Sequence, residues 1–462
     1  MMTQNMTQFL FRLSPLCVAL LTACASPQWQ APPVDLPQQW QATAANAATA
    51  AKSDQAFWLG FADEQLLALQ KTASERNADI AVAAIRLRKA GFVVTQRGLD
   101  RTPNVSANAN GSAAWELDPS RYRGDNYGAN VGVSWEIDLW GKLADQQQAA
   151  RWRERASAAD LAAMQQSIMT SVASTYWTIA REQDGLKLAQ NELQRAKDTQ
   201  TIVERRYSAG VVSGLDLTQA RSSTLQQENQ LSQAQLTLAK SQWQLGLLLD
   251  QPPQSTLGAA AVLPSLYPEI PAGVPADILN RRPDLAAATA KLQASFTDQQ
   301  VVRKNWYPTL SLTGGLGTSS QDLINLLSNP VATLGAGLSL PFIQFNEMEL
   351  ANKTSAADYE QAVIEYRQKL YVSLQEVETA LANVAHLKAE LPRMQALADE
   401  TKKAEQQTQL RYQAGSMAFD SVLNARTRRQ AADHALLLHR YQLAVASVEV
   451  YKVLGGAPLV LR

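Results

Sequence analysis

Cysteine is nearly missing: 462 residues hold two, Cys17 and Cys24, both at the N-terminal end. Removal of a leader ahead of Cys24 leaves one thiol, so neither an internal disulfide nor a cysteine-based metal site is expected. Histidine is almost as scarce. Of His386, His434 and His439, the last two stand five apart and point to different sides of a helix, as packed or solvated residues do. Methionines are few and unclustered, which gives a copper relay no support. No P-loop, dinucleotide fingerprint or G-x-S-x-G is present, so no catalytic set emerges and the chain is expected not to be an enzyme. An excess of one charge is also missing, with Lys+Arg 42 against Asp+Glu 42, and no global field points to nucleic acid. Mean hydropathy is −0.21, and no apolar run reaches 18 residues, which excludes a membrane-spanning helix.

What the chain does have is repetition. "RYSAG" begins at Arg206 and "RYQAG" at Arg411, an offset of 205 residues. Under the same shift, "RYSAGVVSGLDLTQAR" lies over "RYQAGSMAFDSVLNAR", and both blocks end in Ala-Arg (Arg221 and Arg426). "NADIAVAAIRL" lies over "RPDLAAATAKL", and Gly132, Ser134 and Trp140 fall on Gly337, Ser339 and Phe345. One unit is written twice, as an internal structural duplication.

The N-terminus carries an address. "FLFRLSPLCVALLTAC" has a basic residue, a short apolar core and small residues before a cysteine, which describes a secretory signal. "LTAC" reads as a lipobox, so cleavage after residue 23 leaves Cys24 to take a covalent lipid. Ala25 in the next position, where an aspartate would favour inner-membrane retention, implies the outer membrane. The Pro/Gln-rich stretch that follows is expected to be an extended tether over 24–60. Repeat 1 then covers 61–265 and repeat 2 covers 266–462.

Each repeat holds two segments of clean two-residue alternation. Val131, Val133 and Trp135 share one face, with Gly132, Ser134 and Glu136 on the other. Strands are expected near 104–112, 127–139, 307–316 and 332–342, with 113–125 and 318–329 as surface loops. Such alternation suits an antiparallel sheet lying on a core. It also suits tilted strands crossing a bilayer, with Tyr127, Trp140, Tyr307 and Phe342 as aromatic girdles. Four strands cannot close a barrel, and an open edge in lipid is costly, so a barrel would be shared between copies as a dimer, trimer or larger ring.

The remainder is helical in pattern. Leu217, Leu231, Leu238 and Leu245 step by seven, as do Val363, Leu370, Val377, Val384 and Leu391, which imposes left-handed coiled coils folding back at the two RYxAG turns. Pro392 should kink or split the second long helix. "RRPD" at 281–284 reads as a solvated helix start.

Taken together, the lipobox, "SWEIDLWGKL" (134–143), "RRPDL" (281–285), "YPTLSL" (307–312), "LQEVETAL" (374–381) and the paired RYxAG turns resemble the TolC-like outer-membrane factors, and more narrowly their lipoprotein branch. The resemblance implies a mainly α chain with a transmembrane β-barrel. A homotrimer would share one twelve-stranded barrel, four strands from each chain, continuous with a long periplasmic α-helical coiled-coil tunnel. It implies an exit duct for drugs and other toxic small molecules in the outer membrane of a Gram-negative bacterium. Its partners would be a periplasmic adaptor and an inner-membrane pump, with no cofactor beyond the lipid and no resident metal. Protein or peptide secretion, or a structural coiled-coil lipoprotein, are the alternatives. The resemblance makes Tyr412 and Asp216 a periplasmic gate pair. Ser421 and Asn424 stand where the family usually has aspartates, Asp420 lies one position early, and Met417 replaces a basic residue. The turn and adaptor-contact region would comprise Arg206, Tyr207, Gly210, Arg221, Arg411, Gly415 and Arg426.

Overall fold

The computed structural model describes residues 29–41, 54–118, 120–253, 261–268, 275 and 281–456. The signal and the lipobox with Cys24 lie outside the described residues.

In chain order the elements are α1 (Asp54–Leu59), α2 (Glu64–Arg76), α3 (Ala78–Leu99), β1 (Asn104–Leu117), β2 (Ser120–Ile137), α4 (Lys142–Ser208) and α5 (Gly214–Leu248). The second half gives α6 (Pro283–Lys304), β3 (Thr309–Ser320), β4 (Val331–Ser339), α7 (Phe345–Gln413) and α8 (Phe419–Val453). The duplication is kept in three dimensions. α6 begins and ends 205 residues after α3, and α8 stands in the same relation to α5. No helix among the described residues is long and apolar enough to cross a membrane.

Two compact units emerge. The first takes in 86–158 and 287–368 and contains the sheet. Its order is β1-β2-β3-β4, antiparallel throughout. The register sets Val105, Val133, Gly314 and Leu334 in one row, and Ala107, Val131, Leu316 and Ala332 in another. Directly opposed residues share a face, so the aliphatic set lies on one side and Ser106, Gly132, Gly315 and Thr333 on the other. The aliphatic face is not covered by this unit: Val105, Val133, Leu334 and Leu338 are exposed. Glycines on the opposite face make room for hydroxyls across the strand; a Cβ on Gly335 would come within 2.8 Å of Thr313 Oγ1. The β1–β2 hairpin runs farther than the alternation suggests. Residues 113–117 and 120–125, expected as loop, are paired strand with a register shift at Ala114/Trp115. The backbone ladder carries on through Trp115 opposite Tyr122 to Leu117 opposite Ser120, without an apolar period.

The second unit, from 35–85, 159–286 and 369–462, is helical. Its main core joins Trp58, Leu66, Val172, Tyr176, Trp177, Leu245 and Val448. Phe57 stacks flat on Tyr451 with ring centroids 4.2 Å apart. Those aromatics end the tether early. The chain expected to stay extended to residue 60 folds into α1 to bury Phe57 and Trp58, and Trp40 is buried as well. The heptad positions face inward, with Leu245, Leu370 and Val377 buried. Pro392 lies inside α7, which continues unbroken from 345 to 413.

Candidate functional site at the helical turns

The repeated phrase makes the same backbone device twice. At the end of α4 the Val211 amide donates to the Arg206 carbonyl at 2.9 Å and the Gly210 amide to the Tyr207 carbonyl at 2.9 Å. At the end of α7, Ser416 donates to Arg411 and Gly415 to Tyr412, each at 3.0 Å. The pairing is that of a Schellman cap, and the glycine stands where the chain must turn left-handed. Gly210 has φ 71° and Gly415 φ 76°, values glycine reaches without steric cost.

After the first turn, α5 opens with a reciprocal cap. The Asp216 amide donates to Ser213 Oγ at 3.2 Å, and Asp216 Oδ2 accepts from the Ser213 amide at 2.9 Å and its hydroxyl at 2.8 Å. After the second, α8 opens at Ala418 with no side-chain cap. The duplicated sequence has diverged here.

Tyr412 sits in a small core with Val203, Ala220, Phe419 and Val422. It is 9% exposed, whereas its counterpart Tyr207 is 47% exposed. Among the described residues, its buried hydroxyl has no hydrogen-bond partner. The single chain therefore does not join Tyr412 to Asp216. Asp420 accepts a 2.9 Å hydrogen bond from Asn424 on the exposed side of α8, and the Ser421 amide donates to the Ala418 carbonyl. Arg221 reaches Glu204 at 3.3 Å, Met417 is part-exposed, and Arg411 is exposed.

Arg426 departs from the surface role expected of it. It is 5% exposed, donates to Thr199 Oγ1 at 2.9 Å, and lies 3.6 Å from Glu405. One turn on, buried Arg429 bonds Glu192, contacts Glu405 at 2.6 Å and donates to Asp433 at 2.6 Å. Burial works against the charge on Arg429, but the carboxylates led by Glu192 outweigh it and keep the guanidinium protonated. This network ties α4 and α7 to α8. Residues 192, 405 and 429 are too far apart in sequence for any spacing rule to link them.

The RRPD segment is a second departure. Arg282 is buried: it forks onto Asp284 at 3.0 and 2.9 Å, reaches Glu376 at 2.6 Å and donates to the Val453 carbonyl at 3.1 Å. Lys369 adds a 2.7 Å contact to Asp284. Burial pushes the Asp284 carboxyl up, but hydrogen bonds from Arg282 and Lys369 outweigh this and hold it well below the usual carboxylate range. His439 is a packed residue, 2.8 Å from the Leu387 carbonyl.

The groove between α4, α5 and α8 encloses about 610 Å³ and is walled by Gln227, Gln230, Gln233, Thr237, Gln430 and His434. Ala189, Ala234, Leu437 and Leu438 line it beside these amides and the charged Arg181 and Glu192, so its lining mixes apolar surface with polar groups.

The family description "Outer membrane efflux protein" matches the chain twice, over residues 69–250 and 274–456. The chain belongs to that family. It is 31% identical to the pyoverdine export outer membrane protein OpmQ of Pseudomonas putida, over 96% of each chain. It is 27% identical to the cation efflux system protein CusC of Escherichia coli K12, over 96% of this chain and 99% of that one. In fold it matches the outer-membrane channel OprN with a TM-score of 0.83 at 24% identity, over 94% of this chain and 99% of that one. As a member it is an outer-membrane channel protein of Gram-negative type, reaching into the periplasm.

Proposed function

We propose that three copies of this chain form the outer-membrane exit duct of a tripartite efflux assembly, through which drugs and other toxic small molecules leave. One observation carries the reading. The four-stranded sheet ends at β1 on one side and β4 on the other, and its apolar face is bare. In a bilayer the free strand edges would leave backbone groups unpaired at several kcal/mol each, and joining β4 of one copy to β1 of the next removes that cost. Three such sheets give a ring wide enough to hold a lumen, lined by the Ser, Thr and Gly face. The groove between α4, α5 and α8, with its mixed apolar and polar lining, supplies a seat for the helices of a periplasmic adaptor, and an inner-membrane pump supplies the energy. The lipid on Cys24 adds an anchor beside the barrel. Neither a cofactor nor a metal is needed for the duct.

The test is conductance. Purified protein added to a planar lipid bilayer should give steady ion-conducting steps, and a scaffold lipoprotein would give none. Co-purification from intact envelopes should bring down an adaptor and a pump. Mass spectrometry of the mature N-terminus should find a diacylglyceryl-modified cysteine.

A further inference from the structure

The turn between β3 and β4 has the wrong composition for a loop standing in water. "DLINLLSNP" (322–330) has four aliphatic residues, one acid and no base. Leu323 is 62% exposed, Ile324 96% and Leu327 82%. Isolated exposed aliphatics are ordinary, but three on one short turn form a patch that calls for an occupant.

The turn is held in place. A short helical turn spans Leu323–Asn325, the Asp322 amide donates to Ser320 Oγ at 3.1 Å, and Ser328 Oγ donates to the Asn325 carbonyl at 2.6 Å. The Thr318 hydroxyl donates to the Leu326 carbonyl, which folds the turn back along the sheet. Leu327 and Pro330 thereby roof a hollow of about 430 Å³ over Ala109, Ala129, Val131 and Leu316.

The register shows which face this is. Ala129 pairs with Ala109 and Thr318, and Val131 pairs with Leu316, all on the bare aliphatic side. Tyr127, opposite Ser320, has the same parity at the outer end of that face. Ala129 and Val131 lie two and four residues below it, inside the apolar belt. Leu327 therefore descends past the aromatic level on the lipid side of the sheet.

We propose that 322–330 is a lipid-inserted loop, with Leu323, Ile324 and Leu327 embedded among the acyl chains of the outer leaflet. Continuity with the lipid-facing belt selects acyl chains over other occupants, and the lack of any Lys or Arg in the loop leaves nothing to favour headgroup phosphate. The loop would fix the depth and tilt of the barrel from the outer side.

Ile324→Cys, labelled with an environment-sensitive fluorophore in the full chain, tests this in phosphatidylcholine liposomes. Unsubstituted protein taken through the same labelling supplies the background. The label should be quenched severalfold more by acyl-chain nitroxide lipids than by aqueous iodide, and Leu327→Cys should behave alike. Leu117→Cys, 90% exposed at the end of the β1–β2 hairpin, should show the reverse order. Iodide quenching of both loop labels without nitroxide quenching would put the loop in water or the lumen and overturn the proposal. Protection from both quenchers would mean that a protein surface covers it, which overturns the proposal equally.

Discussion

The guanidinium of Arg206 lies 4.9 Å from the centre of the Tyr412 ring, so the arginine of the first RYxAG phrase covers the tyrosine of the second. The reverse arrangement does not occur, because Tyr207 is half exposed and Arg411 points to solvent. Two copies of one sentence have taken unequal roles. A cation over an aromatic face at a part-exposed site contributes about 0.5–1 kcal/mol. Arg206→Gln should lower stability by that amount, and Arg411→Gln, whose side chain does no comparable work, should leave it unchanged. Denaturant midpoints of the two variants under identical conditions check the difference. Equal loss in both would mean that the stacking contributes nothing.

Three glycines separate conformational cost from steric cost. A Cβ on Gly210 or Gly415 would meet nothing within 4 Å, so alanine there costs only the left-handed backbone, roughly 1–2 kcal/mol. Asparagine, which tolerates that region, should cost less. Gly455 also has φ 76°, but its Cβ would lie 2.5 Å from the Arg281 carbonyl carbon. Gly455→Ala should therefore be the most damaging of the three, with assembled protein lost from membranes. Comparable yields for Gly415→Ala and Gly455→Ala would contradict the packing at Arg281.

Asp284 gives a pH test with a defined sign. Its carboxyl is depressed in the folded chain by Arg282 and Lys369, so it contributes stability above its unfolded pKa of about 3.9. That contribution fades as pH falls below about 4 toward the lowered folded value. Asp284→Asn should be less stable than the parent at pH 7, and the gap should narrow in acid. A gap that stays constant from pH 7 to pH 3 would show that the charge is not what Arg282 requires.

How much of this was legible beforehand follows a physical line. Periodicity of two and seven located the strands and the buried heptad positions, because each element repeats its own geometry along the chain. The Schellman turns were legible in RYxAG because a left-handed cap demands glycine at a fixed place. The outer half of the β1–β2 hairpin was not, since beyond the apolar belt both faces of a hairpin are polar or aromatic and alternation carries no signal. Arg282 and the Arg426/Arg429 cluster were missed for another reason. A lone arginine has the same local sequence whether it is solvated or buried. Only the approach of Glu376, or of Glu192 and Glu405, decides which, and those partners come from distant helices.

The facing of the sheet can be tested by a pair of neighbours. Val133 belongs to the exposed aliphatic row and Ser134 to the opposite face, paired with Asn104 and Thr313. Val133→Lys should cost about 2–4 kcal/mol near the membrane midplane, while Ser134→Lys, turned to the lumen, should assemble nearly normally and change ion selectivity. Heat-resistant oligomer on gels reports the first and reversal potential in a salt gradient reports the second. Equal assembly of both variants would reverse or abolish the assignment of faces.

The last test concerns how the duct is kept shut. Among the described residues the buried hydroxyl of Tyr412 finds no partner, and Asp216 keeps its carboxylate at the start of α5. Once the ring swings out of its small core, a bond from Tyr412 to Asp216 on a neighbouring coil would satisfy the hydroxyl and hold adjacent coils together at the mouth. A hydrogen bond to a charged acceptor contributes about 1.5–3 kcal/mol, and three copies around a ring would bias the closed state while leaving it openable by a docking partner. The capping box complicates the obvious mutation. Asp216→Ala would also strip the cap from α5, so a change in conductance there could reflect fraying of the helix. Tyr412→Phe removes only the hydroxyl and should raise single-channel conductance without reducing oligomer yield. Ser213→Ala breaks the cap while sparing the Asp216 carboxylate, and it should leave conductance at the parental level. If Tyr412→Phe conducts like the parent, the mouth is held by other contacts, and if Ser213→Ala opens the channel as far, the helix start itself is the latch.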